Sequence, residues 1–153
     1  MSSLGHTFVR QGFCFDDIHL EKGEYNTVMA YSQSKLANIL HAKELAKRLE
    51  GTGISVYSLH PGAIMTELGR HWEKRLGCWA KPIYAVAKFT CKTPFHGAQT
   101  TLYCVLEDKI EGQSGLYYSD CDVKSPSLLA QDMEAAKKLW DLSVELVGLK
   151  ESA

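Results

Sequence analysis

Apolar residues recur at three- and four-residue intervals over three stretches of the chain, and this pattern predicts amphipathic helices. The longest stretch covers residues 28–49. Asn26 and Thr27 are candidates for its N-cap, because short polar side chains accept hydrogen bonds from the first free amides of a helix. Gly51 and Gly53 are placed to end it in the left-handed conformation that glycine tolerates.

A second helix is predicted over residues 93–106, where a cap-forming threonine and a first-turn proline open the segment. A last amphipathic helix is predicted from Ser125 and Pro126 to Gly148. Residues 10–26 mix glycine, aspartate and asparagine with scattered aromatics, which indicates a loop with a short turn.

Two segments carry the β-branched and aromatic residues typical of strands. Residues 54–59 form the first, and Pro61 and Gly62 place a tight turn behind it. Residues 114–119 form the second. The opening residues 1–6 read as the end of a third strand running into a loop.

The alternation of helix and strand predicts an α/β fold with a parallel sheet. Ligands of such sheets bind just beyond the carboxyl ends of the strands. The loop over residues 60–68, which follows the first strand, is therefore where a ligand site is expected.

Residues 69–92 interleave aromatic and aliphatic side chains with basic ones, which predicts two short amphipathic helices. The simpler interpretation is a surface segment that covers the core. The alternative is a lid over a hydrophobic substrate that also contacts a membrane surface.

Composition narrows the class of protein. Of 153 residues, 45% are apolar and 23% charged, as in one ordinary globular domain or a piece of one. A net charge of -1 gives no reason to expect a nucleic-acid partner. The five cysteines are odd in number, widely spaced and include no C-x-x-C pair, which argues against a zinc site or disulfide framework and indicates a reducing compartment. No signal-peptide pattern or long apolar run is present, so neither a leader nor a membrane-spanning helix is expected.

The candidate chemistry begins with Tyr31 and Lys35. Residues four apart on a helix lie on one face, one turn apart. A tyrosine with a pKa near ~10 is a poor proton donor at neutral pH, and lowering that pKa to ~7 takes about 4 kcal/mol. A cation at about 4 Å supplies roughly that amount at an effective dielectric near 20. The pair is therefore a candidate proton-transfer device.

The spacing alone does not select this pair, because Tyr84 and Lys88 repeat it. The sequence context differs. The first pair is preceded by serines at positions 2 and 3 and followed by a strand and a Pro-Gly turn, whereas the second lies in the amphipathic segment. Tyr31 and Lys35 are therefore interpreted as the catalytic pair. Tyr84 and Lys88 are interpreted as a packed side chain and a solvated one.

In this order, the serines, the Tyr-x-x-x-Lys motif and the Pro-Gly turn resemble the catalytic half of a short-chain dehydrogenase/reductase, and within that family the retinol dehydrogenases of the microsomal type. The resemblance implies the C-terminal half of a Rossmann-like doubly wound parallel sheet, with two or three strands and flanking helices, forming one partial domain over residues 1–153. The matching blocks are residues 2–6, 34–38, 44–49, 59–62, 97–101 and 115–121.

The resemblance also implies roles for single residues. Tyr31 would be the general acid/base, Lys35 would lower its pKa and hold the nicotinamide ribose, and Ser3, with Ser2 as the neighbour it could be confused with, would bind the substrate oxygen. Structural use is expected for His41 and His60. The nicotinamide end of the cofactor, NADP(H) with NAD not excluded, would be lined by Tyr31, Lys35, Pro61, Gly62, Ile64 and Thr66.

Several family elements are missing from the sequence, among them the residue that selects NAD or NADP, the Asn-Ala-Gly stretch and the asparagine of the catalytic tetrad. The glycine-rich turn that seats a dinucleotide pyrophosphate does not occur, and the chain begins at the catalytic serine. Two readings follow. The chain is an oxidoreductase on a retinoid or another lipophilic alcohol or carbonyl, at the cytosolic face of the endoplasmic reticulum membrane. Alternatively, it is a truncated, non-catalytic isoform or fragment that acts, if at all, as an interaction module. Its expected localisation is then cytoplasmic, if the missing N-terminal anchor of the family decides where it is found.

Overall fold

The computed structural model describes residues 1–64 and 91–149, and this part of the chain is a mixed α/β structure, which confirms the predicted fold class. Its α-helices are α1 (Thr27–Arg48), α2 (Pro94–Leu106) and α3 (Met133–Val147). Its strands are β1 (Ser58–His60), β2 (Tyr117–Ser119) and β3 (Asp122–Val123).

Helix α1 begins where the cap residues predict. The Asn26 side chain accepts hydrogen bonds from the amides of Val28 and Met29, which otherwise have no partner in the first turn. The helix ends at Leu49 rather than at a glycine. Gly51 has the expected left-handed conformation, with a φ of 78°, but it lies in the turn two residues beyond the C-cap instead of capping the helix.

The sheet has the order β1-β2-β3, with β1 parallel to β2 and β2 antiparallel to β3. A two-residue turn joins β2 to β3, and both turn residues, Asp120 and Cys121, have a φ of 57°. Positive φ at both central positions is what a tight hairpin turn requires. The third strand is therefore supplied by residues 122–123.

Both predicted strands are shorter in the structure than in the sequence pattern. Ahead of β1 and β2 the two segments stay side by side, but they are held by separate hydrogen bonds instead of a regular ladder. The amide of Gly115 donates to the Val56 carbonyl at 2.7 Å, and the amide of Val56 donates to the Ser114 hydroxyl at 3.0 Å. A side chain that replaces a backbone acceptor interrupts the strand there.

The opening residues do not form the expected strand. The amide of Ser2 donates to the Leu59 carbonyl of β1 at 2.6 Å, and the chain then turns into a short 3-10 helix, Leu4–Phe8. Ser3 caps this 3-10 helix, because its hydroxyl oxygen accepts a hydrogen bond from the amide of Gly5. Local capping by a serine therefore competes with continued pairing along β1.

The last helix starts later than predicted. A separate 3-10 helix covers Leu128–Gln131, and α3 begins only at Met133, where the Asp132 carboxylate accepts hydrogen bonds from the amides of Glu134 and Ala135. Its end agrees with the prediction, because Gly148 closes it with a φ of 66°.

Helix α1 packs against α3 and, through its other contacts, against the N-terminal 3-10 helix and the sheet. This packing buries the main core cluster: Val9, Leu36, Ile39, Leu40, Tyr117, Ala130, Ala136 and Leu139. A second cluster lies between the sheet and α2, formed by Leu59, Cys104, Ile110 and Tyr118. Helix α1, which carries Tyr31 and Lys35, thus packs into the core through Leu36, Ile39 and Leu40.

The predicted lid, residues 69–92, lies outside the described residues apart from its last two positions. Over residues 1–64 and 91–149, no helix is both long enough and apolar enough to cross a membrane.

Candidate active site

The carboxyl ends of β1 and β2 meet at one edge of the sheet, with His60 opposite Ser119. A cavity of about 450 Å³ opens there, at the place predicted from the loop that follows the first strand. It is bounded by the N-terminal 3-10 helix, by α1 and by the turn after β1. Its lining includes Ser3, Gly5, Tyr31, His60, Gly62 and Ile64.

Tyr31 and Lys35 lie together on α1. The Lys35 Nζ atom is 5.3 Å from the centroid of the Tyr31 ring, over its face, and Tyr31 is 48% exposed. The ring also packs on the backbone of Gly5, where an added Cβ would lie 2.8 Å from Tyr31 Cε1. A glycine at position 5 therefore lets the phenol lie against the N-terminal turn, a contact that no sequence signal had indicated.

The structure separates the roles of the two serines. Ser2 is buried, and its hydroxyl donates to the Lys35 carbonyl of α1 at 2.7 Å. Ser3 lines the cavity, and its hydroxyl oxygen accepts from the amide of Gly5 at 3.2 Å. The Ser3 hydroxyl hydrogen has no acceptor among the described residues, so it is free for a ligand oxygen. Ser2 therefore fixes the backbone against α1, whereas Ser3 has its hydroxyl at the cavity.

The turn after β1 brings two of the predicted cofactor residues to the cavity. Gly62 has a φ of 95°, and an added Cβ would meet the Lys92 side chain at 2.8 Å. The positive φ is what requires glycine here, since the Lys92 side chain is flexible and could move aside. Ile64 lines the cavity and pairs with Lys92 in an isolated parallel bridge. Pro61 joins β1 to this turn, and Thr66 lies outside the described residues.

An ion pair closes the same end of the sheet. Lys92 Nζ lies 2.5 Å from an oxygen of Asp120, in the turn after β2, and the Ser119 hydroxyl donates to the other carboxylate oxygen at 3.1 Å. These hydrogen bonds, that of Lys92 first, hold the pKa of Asp120 below its usual value. The two charged residues are 28 positions apart, so sequence spacing gave no indication of the pair.

His60 ends β1 and is 7% exposed. Its Nδ1 atom is buried and has no hydrogen-bond partner among the described residues. The structural role expected for His60 therefore gains no support from a hydrogen bond at that atom. Burial lowers the pKa of its imidazole below 6.5; Asp120 opposes this shift, while Lys92 and His6 add to it. His41, in contrast, stacks on Trp140 with ring centroids 5.0 Å apart, a packing role.

Because His60 is buried, we expect the folded chain to lose stability in acid. Because its pKa is lowered in the folded state, the unfolded chain binds a proton more readily, and the free energy of unfolding falls as the pH drops below 6.5. We expect urea unfolding midpoints at about pH 7.5 and about pH 5.5 to differ less in His60→Gln than in the wild type. An unchanged difference in the variant would contradict the assignment.

No family model matches the chain. It is 46% identical over 136 residues to human retinol dehydrogenase 14, across 88% of this chain and 40% of that protein. It is 42% identical over 151 residues to human retinol dehydrogenase 11, across 97% and 44%. The chloroplastic short-chain dehydrogenase TIC 32 B of Brassica napus is 41% identical over 150 residues, across 96% and 45%.

A solved structure is also similar. The crystal structure of an uncharacterised protein from Mycobacterium paratuberculosis superposes with a TM-score of 0.66 at 25% identity, over 99% of this chain and 50% of that one. The sheet topology and this likeness define the class of the chain as a Rossmann-like α/β fold. It belongs to the short-chain dehydrogenase/reductase family and is similar to the retinol dehydrogenases within it. The chain spans less than half the length of these curated relatives.

Proposed function

We propose that this chain carries the proton-transfer site of an NAD(P)(H)-dependent oxidoreductase that interconverts a lipophilic alcohol and its carbonyl, of the retinol and retinal type. The observation that carries the proposal is the shared cavity, in which Ser3 and Tyr31 face the turn containing Gly62 and Ile64. The relatives named as retinol dehydrogenases support the substrate class.

Tyr31 is proposed as the general acid/base. In the direction of reduction its hydroxyl gives a proton to the substrate oxygen, and in oxidation its phenolate takes that proton back. Lys35 is its neighbour on the same face of α1, and its ammonium lies over the Tyr31 ring, 5.3 Å from the ring centroid. The Gly5 backbone under the ring limits the directions in which the phenol can point.

Ser3 is proposed to orient the substrate. Its hydroxyl is already positioned by the hydrogen bond from the Gly5 amide, and its own hydrogen remains available for the substrate oxygen. A donor fixed before the reaction stabilises negative charge that develops on that oxygen without a further cost of reorganisation.

The described residues fit one end of the cofactor. The turn at Pro61, Gly62 and Ile64, with Thr66 beyond it, would hold the nicotinamide, since the glycine lets backbone come close to a flat ring. Lys35 would hold the ribose next to it. When bound, the nicotinamide supplies or accepts the hydride. Whether NADP(H) or NAD(H) is preferred depends on residues at the adenosine end, for which this sequence offers no candidate.

A second candidate function has its own support. The sequence contains no glycine-rich turn for the pyrophosphate, and within the described sheet β1 is an edge strand whose outer side receives a hydrogen bond from Ser2. Both features favour a chain that does not catalyse by itself and acts as an interaction module. Under the first proposal the site works at the cytosolic face of the endoplasmic reticulum, with residues 69–92 as a lid that contacts the membrane surface.

A titration of NADPH into the purified 153-residue chain distinguishes the two candidates. The second candidate predicts no saturable change in nicotinamide fluorescence at micromolar concentrations, because the pyrophosphate contributes much of the binding energy of a dinucleotide and has no seat in this sequence. Saturable micromolar binding would overturn the second candidate. Lys35→Ala is the matched control, since binding at the proposed site must weaken in that variant.

A further inference from the structure

His6 is a buried imidazole that the proposed chemistry does not use. It is 1% exposed, and both of its ring nitrogens have partners. Nδ1 lies 2.6 Å from the Ser3 carbonyl oxygen, and Nε2 lies 3.1 Å from the backbone nitrogen of Ser127. The ring also packs edge-on against Tyr117 of β2, with centroids 5.3 Å apart.

These partners define the protonation state of the ring. The backbone nitrogen of Ser127 can only donate, so Nε2 must be the unprotonated acceptor. The Ser3 carbonyl can only accept, so Nδ1 must carry the hydrogen. His6 therefore satisfies both bonds only as the neutral ring protonated at Nδ1. Either the other tautomer or the imidazolium would lose at least one of them.

The two bonds connect the site to a distant part of the chain. Ser127 is 121 residues from His6 and lies between β3 and α3. On the other side, Ser2 is tied to α1 through the Lys35 carbonyl and to β1 through the Leu59 carbonyl. Ser3, whose hydroxyl faces the cavity, follows Ser2 in the chain, and its carbonyl oxygen is bonded to His6.

We propose that His6 is a positioning residue, which in its Nδ1-protonated form locks the Ser3 turn against the segment at Ser127 and so fixes the Ser3 hydroxyl in the cavity. The functional meaning of this lock rests on the proposed role of Ser3 as donor to the substrate oxygen. The lock itself is a property of the folded chain, and it can be measured without cofactor or turnover.

The first test uses the unaltered chain. Long-range ¹H–¹⁵N spectra of the protein with ¹⁵N-labelled histidine are expected to show a protonated Nδ1 and an unprotonated Nε2 for His6 at neutral pH. A protonated Nε2 would overturn the proposal, because the bond from Ser127 could not then exist.

The second test uses two variants that each keep one of the two bonds. An asparagine amide can reach the position of Nδ1, so His6→Asn retains the donor to Ser3, whereas the longer His6→Gln places its carbonyl oxygen near Nε2 and retains the acceptor for Ser127. Amide hydrogen exchange then reports each end: the Gly5 amide reports the Ser3 turn, and the Ser127 amide reports the other end.

We expect a reciprocal pattern. His6→Gln should speed exchange of the Gly5 amide by about tenfold and leave Ser127 protected, and His6→Asn should do the opposite. Ser3→Ala, which removes the acceptor for the Gly5 amide, sets the value for complete release. Equal acceleration at both amides in both variants would reduce His6 to an ordinary core residue and overturn the proposal. Failure of Ser3 as a substrate donor would leave this pattern unchanged.

Discussion

Replacing Tyr31 with phenylalanine is expected to lower the rate of NADPH-dependent retinal reduction by about 10²- to 10⁴-fold, the usual contribution of a general acid. Nothing else in the site is removed by this change. Tyr31 is 48% exposed and its hydroxyl makes no hydrogen bond to another described residue, so the melting temperature of the variant should match that of the wild type. The loss would therefore be one of proton transfer and not of folding.

The assay is best run with millimolar NADPH, so that weak cofactor binding does not conceal the chemical step. Tyr84→Phe is the matched control, because Tyr84 and Lys88 repeat the spacing of Tyr31 and Lys35. We expect that control to keep the wild-type rate. Activity retained in Tyr31→Phe would overturn the assignment of the site, and a wild-type chain without turnover under these conditions would support the non-catalytic candidate.

Truncating Leu36 to alanine is expected to lower the free energy of unfolding by about 2–5 kcal/mol. Leu36 is 0% exposed and belongs to the main core cluster, next in sequence to Lys35 of the site. Removal of its side chain leaves a cavity between α1 and its neighbours, and the surrounding groups can relax into it only in part. For a domain whose total stability is ~5–15 kcal/mol, this is a large share.

Urea unfolding followed by circular dichroism measures the change. The control is Leu102→Ala on α2, since Leu102 is 46% exposed and its truncation should change stability by no more than about 0.5 kcal/mol. Similar losses in the two variants would contradict the core described above.

The helices were predictable to within a residue or two where a cap residue is present. Asn26 before α1 and Thr93 before α2 accept hydrogen bonds from the first amides of their helices, as their side chains indicate. The predicted start of α3 was wrong. Ser125 and Pro126 resemble the opening of a helix, but Asp132 supplies the actual cap. A capping signal is local, and two of them in succession cannot be ranked without the packing of the segment between them.

The strands were predicted less accurately. Residues 54–59 and 114–119 have the composition of strands, yet only 58–60 and 117–119 form the regular ladder. Strand length depends on the partner chain as well as on local propensity. The hairpin at Asp120 and Cys121 adds a third strand that no glycine-containing turn pattern had indicated.

By itself, the sequence determined the α/β class, the positions of Tyr31 and Lys35 one helical turn apart, and the Pro-Gly turn that follows the first strand. These are consequences of spacing along a single element, which local geometry fixes. Only the tertiary structure decided which serine has its hydroxyl in the cavity, which backbone lies under the Tyr31 ring, and which distant residue bonds the His6 ring. Those facts depend on contacts between residues far apart in the chain, and no local pattern encodes such distances.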